Sequence, residues 1–251
     1  MRVFNSVYQF TSPILIAMIA VLLTGCGERF GDYLVRMSPE FDSMRAKLKE
    51  VAALIPEDMS GNSSGDVKVD PPMHYEESKP MPTNTEFMMF KNLTDPYYDY
   101  SEEGGIDLYL TKHLKRQLEW TGDKNPLAEA GKKRRVSEND LAGFEGTLAT
   151  RYLAVARLEN FEPVVATGDN TFTGGSALMS GHLVDLQEMK LLGSFLIEAI
   201  PAQEVSFSFK QGFDDPKDRM VAFARSTVYT SLRKQFAEKM QETFGGMFAL
   251  R

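Results

Sequence analysis

Leu178-Met179-Ser180-Gly181-His182-Leu183-Val184-Asp185-Leu186 and Leu191-Leu192-Gly193-Ser194-Phe195-Leu196-Ile197-Glu198-Ala199-Ile200 are parted only by Gln187-Glu188-Met189-Lys190. Two apolar runs of strand length around a short polar break predict a β-hairpin, and the fold is built outward from it. Upstream, Arg151 to Glu159 places Tyr152, Ala154, Ala156 and Leu158 on one face of an extended chain and Leu153 and Val155 on the other. Both faces are apolar where this strand begins, so it belongs inside a sheet. Downstream, Val205, Phe207 and Phe209 alternate with Ser206, Ser208 and Lys210, the pattern of a half-buried strand. Phe87, Met88, Met89 and Phe90 mark another buried strand within Glu86 to Leu93.

A sheet needs its apolar face covered, and the helical patterns supply the cover. Met220, Ala224, Val228, Leu232, Phe236 and Met240 repeat every four residues, with Asp215 as cap, Pro216 in the first turn and Gly245-Gly246 as the stop. Ser137 with Asp140 three residues on predicts a capping-box start to a helix bearing Leu141, Phe144 and Leu148. Ile106, Leu110, Leu114 and Leu118 stripe a helix from about Gly105 to Trp120. The expected fold is α+β: a two-layer sandwich with a mostly antiparallel sheet of four to five strands and the long C-terminal helix packed on it.

The N-terminal third reads differently. Ile14 to Leu23 is an uncharged apolar run behind Arg2, about half of the roughly 20 residues a membrane-spanning helix requires. It ends in the small residues Thr24 and Gly25, the layout of a cleaved secretory signal over 1–25. Residues 26–55 hold a helix from Ser38 to Leu54, capped by Ser38 with Pro39 in its first turn, packed on the domain or acting as a spacer. Residues 56–85 are dense in Pro, Ser, Gly, Asn and Asp and predict a flexible tether reaching about 30 Å, with the folded domain at 86–251.

Leu23-Thr24-Gly25-Cys26 resembles the lipobox of bacterial lipoproteins: an aliphatic residue, a small residue, Gly or Ala, then Cys. The resemblance covers the first 26 residues. It implies cleavage between Gly25 and Cys26, a diacylglyceryl thioether on Cys26 and N-acylation of the new amine, and no other cofactor. Gly27 rather than Asp after the cysteine implies export to the outer membrane, facing the periplasm. The order of elements is also similar to that of penicillin-binding-protein activator lipoproteins, a likeness without a diagnostic motif.

Composition excludes several functions. A net charge of −7 over 251 residues argues against a nucleic-acid partner. Cys26 is the only cysteine, so acylation leaves no disulfide or thiol chemistry. His74, His113 and His182 show no metal-ligand spacing, and Ser176, Ser180 and Ser194 sit in no nucleophile elbow. His182 and Asp185 are the best acid-base pair on offer, yet three residues along a strand turn their side chains to opposite faces.

Two stretches stand out as candidate interaction sites. The connection from Phe161 to Ser176, with Gly168, Asp169, Asn170, Phe172, Gly174 and Gly175, is long and without a pattern of its own, an interaction loop or a mobile connection. Lys132-Lys133-Arg134-Arg135 is a basic block in an acidic chain, suited to anionic headgroups or an acidic partner, or a solvated loop. These readings point to a non-enzymatic, lipid-anchored interaction module engaging an envelope protein or cell-wall component. A carrier of an apolar ligand is the alternative, and a hydrolase a more distant one.

Overall fold

The computed structural model of the chain describes residues 27–59, 67–77, 79, 81–100, 107–108, 110, 113–167, 171–201 and 216–250. The chain opens with α1 (Phe30–Leu54), β1 (His74–Glu76), β2 (Thr85–Met89) and a 3-10 turn (Phe90–Leu93). Three helices follow: α2 (His113–Trp120), α3 (Glu129–Lys133) and α4 (Glu138–Leu148). Then come β3 (Tyr152–Phe161), the short β4 (Val165–Ala166) and β5 (Phe172–Thr173), β6 (Ala177–Asp185) and β7 (Lys190–Ala199). The long α5 (Pro216–Phe244) and β8 (Met247–Ala249) complete it.

The expected hairpin is β6–β7, and β3 lies inside the sheet, whose order is β2-β3-β6-β7. Its β3–β6 and β6–β7 ladders are antiparallel and its β2–β3 ladder is parallel, with Thr85 opposite Tyr152 and Met89 opposite Ala156. The fold is α+β, with a mixed four-stranded sheet and the C-terminal helix packed on it.

On one face Tyr152, Ala154, Ala156, Leu183 and Phe195 meet the α5 stripe of Val228, Leu232, Phe236, Met240 and Phe244. Phe236 stands at the centre, its ring 5.7 Å from Phe87, 5.5 Å from Phe195 and 5.7 Å from Phe248. Each such fully buried ring contributes about 1.5–3 kcal/mol. Gly181 makes room for this arrangement, since a Cβ there would lie 2.2 Å from the Phe195 ring.

The other face is also apolar, because Leu153 and Val155 point away from α5 and cannot be left in water. Phe30, Phe41, Leu48, Leu114 and Phe144 from α1, α2 and α4 cover it. This second helical layer goes beyond the two layers expected from the sequence.

Several boundaries move. Helix α1 begins at Phe30 rather than Ser38 and runs through Pro39; of the two alternatives for it, packing on the domain holds and the spacer does not. The hydrogen bond Pro39 cannot donate would go to the carbonyl of Val35, a residue 75% exposed, so the lost bond lies on the solvent side of the helix. Ser38 does not cap; its hydroxyl donates to the Thr121 carbonyl at 2.8 Å. The helix expected from Gly105 begins only at His113, and Asp107, Leu108 and Leu110 are not helical. The predicted strand through Leu93 stops at Met89, where the 3-10 turn begins.

The tether expected over 56–85 is not one where it is described. Val67 N–H donates to Thr243 O at 2.7 Å, β1 pairs in parallel with β8, and Met73 and Tyr75 are buried. Met73 and Tyr75, with Val67 and Val69 packed beside the same core, hold this segment because β8, far along the chain, supplies the ladder partners. Val205 to Lys210 and Asp215 lie outside the described residues. Among the described residues no helix is long and apolar enough to cross a membrane.

Candidate functional site

Strand β2 ends at Met89 opposite Ala156, while β3 runs on to Phe161. Beyond Ala156, among the described residues, no strand pairs with β3 on that side. A cleft of about 580 Å3 opens there. Arg157, Leu158 and Phe161 come from β3, Phe90 and Lys91 from the 3-10 turn, and Val221 and Arg225 from the first turns of α5. Tyr100, Pro163 and Val164 complete the lining.

The walls are held by hydrogen bonds. Lys91 N–H donates to the Tyr100 hydroxyl at 2.9 Å, and the Lys91 ammonium donates to the Tyr98 hydroxyl at 2.7 Å. Arg157 lies over the Phe90 ring at 5.3 Å and donates to Glu159 Oε1 at 2.8 Å, Pro56 O at 2.7 Å and Glu57 O at 3.1 Å. It therefore ties the cleft to the C-terminal end of α1.

Behind Arg157 a polar chain crosses the sheet on the face toward α1. Ser180 O–H donates to the Glu159 carboxylate, so its oxygen accepts from His182 Nε2 at 2.8 Å. His182 Nδ1 then accepts the Ser194 hydroxyl, also at 2.8 Å. The imidazole is neutral: burial, and then the Arg157 charge, push its pKa down to about 3. Every proton in the chain has an acceptor. His182 and Ser180 are fully buried, so the row holds the sheet together rather than facing a ligand. Asp185 is turned away from it and accepts from Arg151 Nε at 3.0 Å.

A second buried carboxyl, Glu86 on β2, faces the start of α2 and accepts the Leu114 N–H at 3.4 Å. Burial pushes its pKa up to about 8 against those backbone bonds. Among the described residues no group of three or more His, Cys, Asp or Glu is placed to hold a metal ion.

The predicted interaction loop is a small hairpin of β4 with β5, which corrects the reading of a connection without a pattern. Its neck is fastened by Gly175 N–H donating to Glu162 O at 2.7 Å, and Gly174 and Gly175 have φ of +74° and +90°. A Cβ on Gly174 would sit 2.2 Å from Pro163 O. Phe172 is half-buried, and Gly168, Asp169 and Asn170 lie outside the described residues. The cleft takes Phe161, Pro163 and Val164 from the start of this connection and, among the described residues, none of Phe172, Gly174 and Gly175.

The basic block divides. Lys132 pairs with Glu129 at 3.2 Å. Arg134 grips Asp140 at 2.7 Å through Nη2 and lies 3.7 Å over the Phe30 ring. Lys133 and Arg135 are exposed. Gly25 and Cys26 lie outside the described residues. The signals for the cleft were local ones, an aromatic turn and a strand with an apolar end; nothing in the spacing joins Val221 to Phe161 across 60 positions. Compared with known protein families, with curated proteins and with solved structures, the chain matches none.

Proposed function

We propose that this chain is a bacterial envelope lipoprotein, cleaved after Gly25 and acylated at Cys26, whose α+β domain is a non-enzymatic interaction module facing the periplasm from the outer membrane. The Leu23-Thr24-Gly25-Cys26 pattern supports the anchor. The cleft supports the interaction: beyond Ala156 the β3 edge has no paired strand among the described residues, and Phe90, Tyr100 and Phe161 give it apolar surface alongside. That combination suits an extended segment of an envelope protein added alongside β3. The bound lipid on Cys26 is the only cofactor in this reading, and nucleic acid has no place in it.

Photo-crosslinking in cells from position 158 or 221 tests it, with position 239 on the far part of α5 as control. A protein adduct from the cleft positions alone is the expected result. Equal adducts from all three, or none from the cleft, would overturn the reading. The largely apolar lining favours one second reading, a carrier of an apolar ligand, for which lipid co-purifying with the chain and lost on Leu158→Trp is the distinguishing result.

A further inference from the structure

The start of the described chain and the basic block are one structure. Val136 N–H donates to Glu28 O at 3.0 Å, Phe30 N–H donates to Arg134 O at 2.8 Å, and Arg29 bridges Arg135 antiparallel. Gly31 permits the approach, since its Cβ would already touch Lys132 at 3.2 Å. Three cations result at one spot, Arg29, Lys133 and Arg135, exposed and without an ion pair among the described residues. Their basic neighbours are spoken for: Lys132 by Glu129, Arg134 by Asp140, Arg36 by Glu28. Asp32 and Glu138 are the exposed carboxylates on the adjoining helix turns.

Cys26 precedes Arg29 by three residues. Three residues span at most about 11 Å, close to the screening length of about 8 Å at physiological salt. Helix α1 enters the core at Phe30, so no leash separates that point from the folded domain.

We infer that Arg29, Lys133 and Arg135 form a membrane-facing surface that binds anionic phospholipid headgroups and lays the domain against the bilayer. The inference rests on acylation at Cys26 as proposed above. The geometry removes the choice between lipid and a distant acidic protein partner: a patch pinned this close to an acyl anchor meets headgroups first. Each cation at an anionic surface adds roughly fivefold to association, so three favour the surface-bound orientation by about a hundredfold.

The single tryptophan is a built-in reporter, because the Trp120 ring is 5.6 Å from Phe30 at this end of the domain. Acylated chain is reconstituted in vesicles of phosphatidylcholine alone or mixed with phosphatidylglycerol, each carrying a headgroup-nitroxide lipid that quenches Trp120. Stronger quenching in the anionic vesicles, lost at high salt and in Arg29→Glu/Lys133→Glu/Arg135→Glu, is expected. Lys133→Gln/Arg135→Gln, which leaves the Arg134 pair and the Arg29 bridge intact, should lose an intermediate share and serves if the charge reversal unfolds the chain. Quenching indifferent to lipid charge, or unchanged in both variants, overturns the inference. Flotation and intact mass of the same sample separate the two proposals: a chain that carries no lipid and does not float overturns the anchor, whereas a lipidated chain that floats with charge-independent quenching overturns only the basic surface.

Discussion

His182 on β6 and Ser194 on β7 face each other in register, and the Ser194 hydroxyl donates to His182 Nδ1 at 2.8 Å inside a sheet that excludes water from both. Ser194→Ala leaves a buried ring nitrogen without a donor, at a cost of about 1–3 kcal/mol. The imidazole also sets an acid limit. Its folded pKa, about 3, lies below the ordinary 6.5, so between those values the unfolded chain binds the extra proton. Stability from this group is complete above pH 6.5 and drains as pH falls toward 3, by about 2–3 kcal/mol at pH 4.5. Urea titrations at pH 7 and pH 4.5 on the wild type and His182→Gln check it, the variant showing a shallower loss.

Glu86 acts in the opposite direction. Its folded pKa of about 8 lies above the ordinary 4.5, so the folded chain holds a proton that the unfolded chain has released. Stability therefore falls as pH rises from 4.5 to 8. Glu86→Gln keeps an acceptor for the Leu114 N–H and removes the ionisation, and should be more stable than wild type by about 1–3 kcal/mol at pH 8 with little difference at pH 4.5. Melting curves at the two pH values decide it. With His182 failing on the acid side and Glu86 on the basic side, the two groups together confine the stability maximum to weakly acidic pH.

Gly246 is the position where β8 meets the segment entering β1. Its φ is +77°, and a Cβ would lie 2.2 Å from Met73 O. Gly246→Ala combines left-handed strain of about 1–2 kcal/mol with a backbone collision, and should cost more than 2 kcal/mol in all. Gly27→Ala, with nothing within 4 Å of its Cβ, is the neutral control in the same denaturation assay.

The parts of this fold legible in the sequence are those whose signal is local. The β6–β7 hairpin, the apolar β3, the α5 stripe and the Ser137–Asp140 capping box each declare themselves within one element; Asp140 N–H donates to Ser137 Oγ at 3.2 Å and Ser137 N–H to Asp140 Oδ2 at 2.8 Å. What the sequence hid depends on partners far along the chain. Met73 and Tyr75 look like isolated apolar residues in a proline-rich segment until β8 stands beside them. Pro39 reads as a helix start because an interior proline is costly, yet the buried Phe30, Tyr33, Leu34 and Met37 carry α1 a further two turns before it. The cleft was illegible for the same reason, being made where β2 stops short of β3 and α5 returns to the gap.

The four consecutive cations of the basic block separate by the same distinction between local pattern and distant partner. Arg134 and Lys133 are neighbours in sequence, yet Arg134 alone reaches both Asp140, through two nitrogens, and the face of Phe30 at 3.7 Å. Those contacts join the start of α1 to the capping box of α4. Exposed ion pairs contribute little by themselves, but a forked pair with a cation–π contact on a fully buried ring adds about 1–2 kcal/mol. Arg134→Ala should lower stability by that amount, and Arg134→Lys should restore only part of it because an ammonium cannot make the fork. Lys133→Ala should leave the unfolding midpoint unchanged, since Lys133 is exposed and makes no ion pair among the described residues. Denaturation midpoints for the three variants check the ranking; equal losses from Lys133→Ala and Arg134→Ala would mean that the block acts as bulk charge, with no staple at its third position.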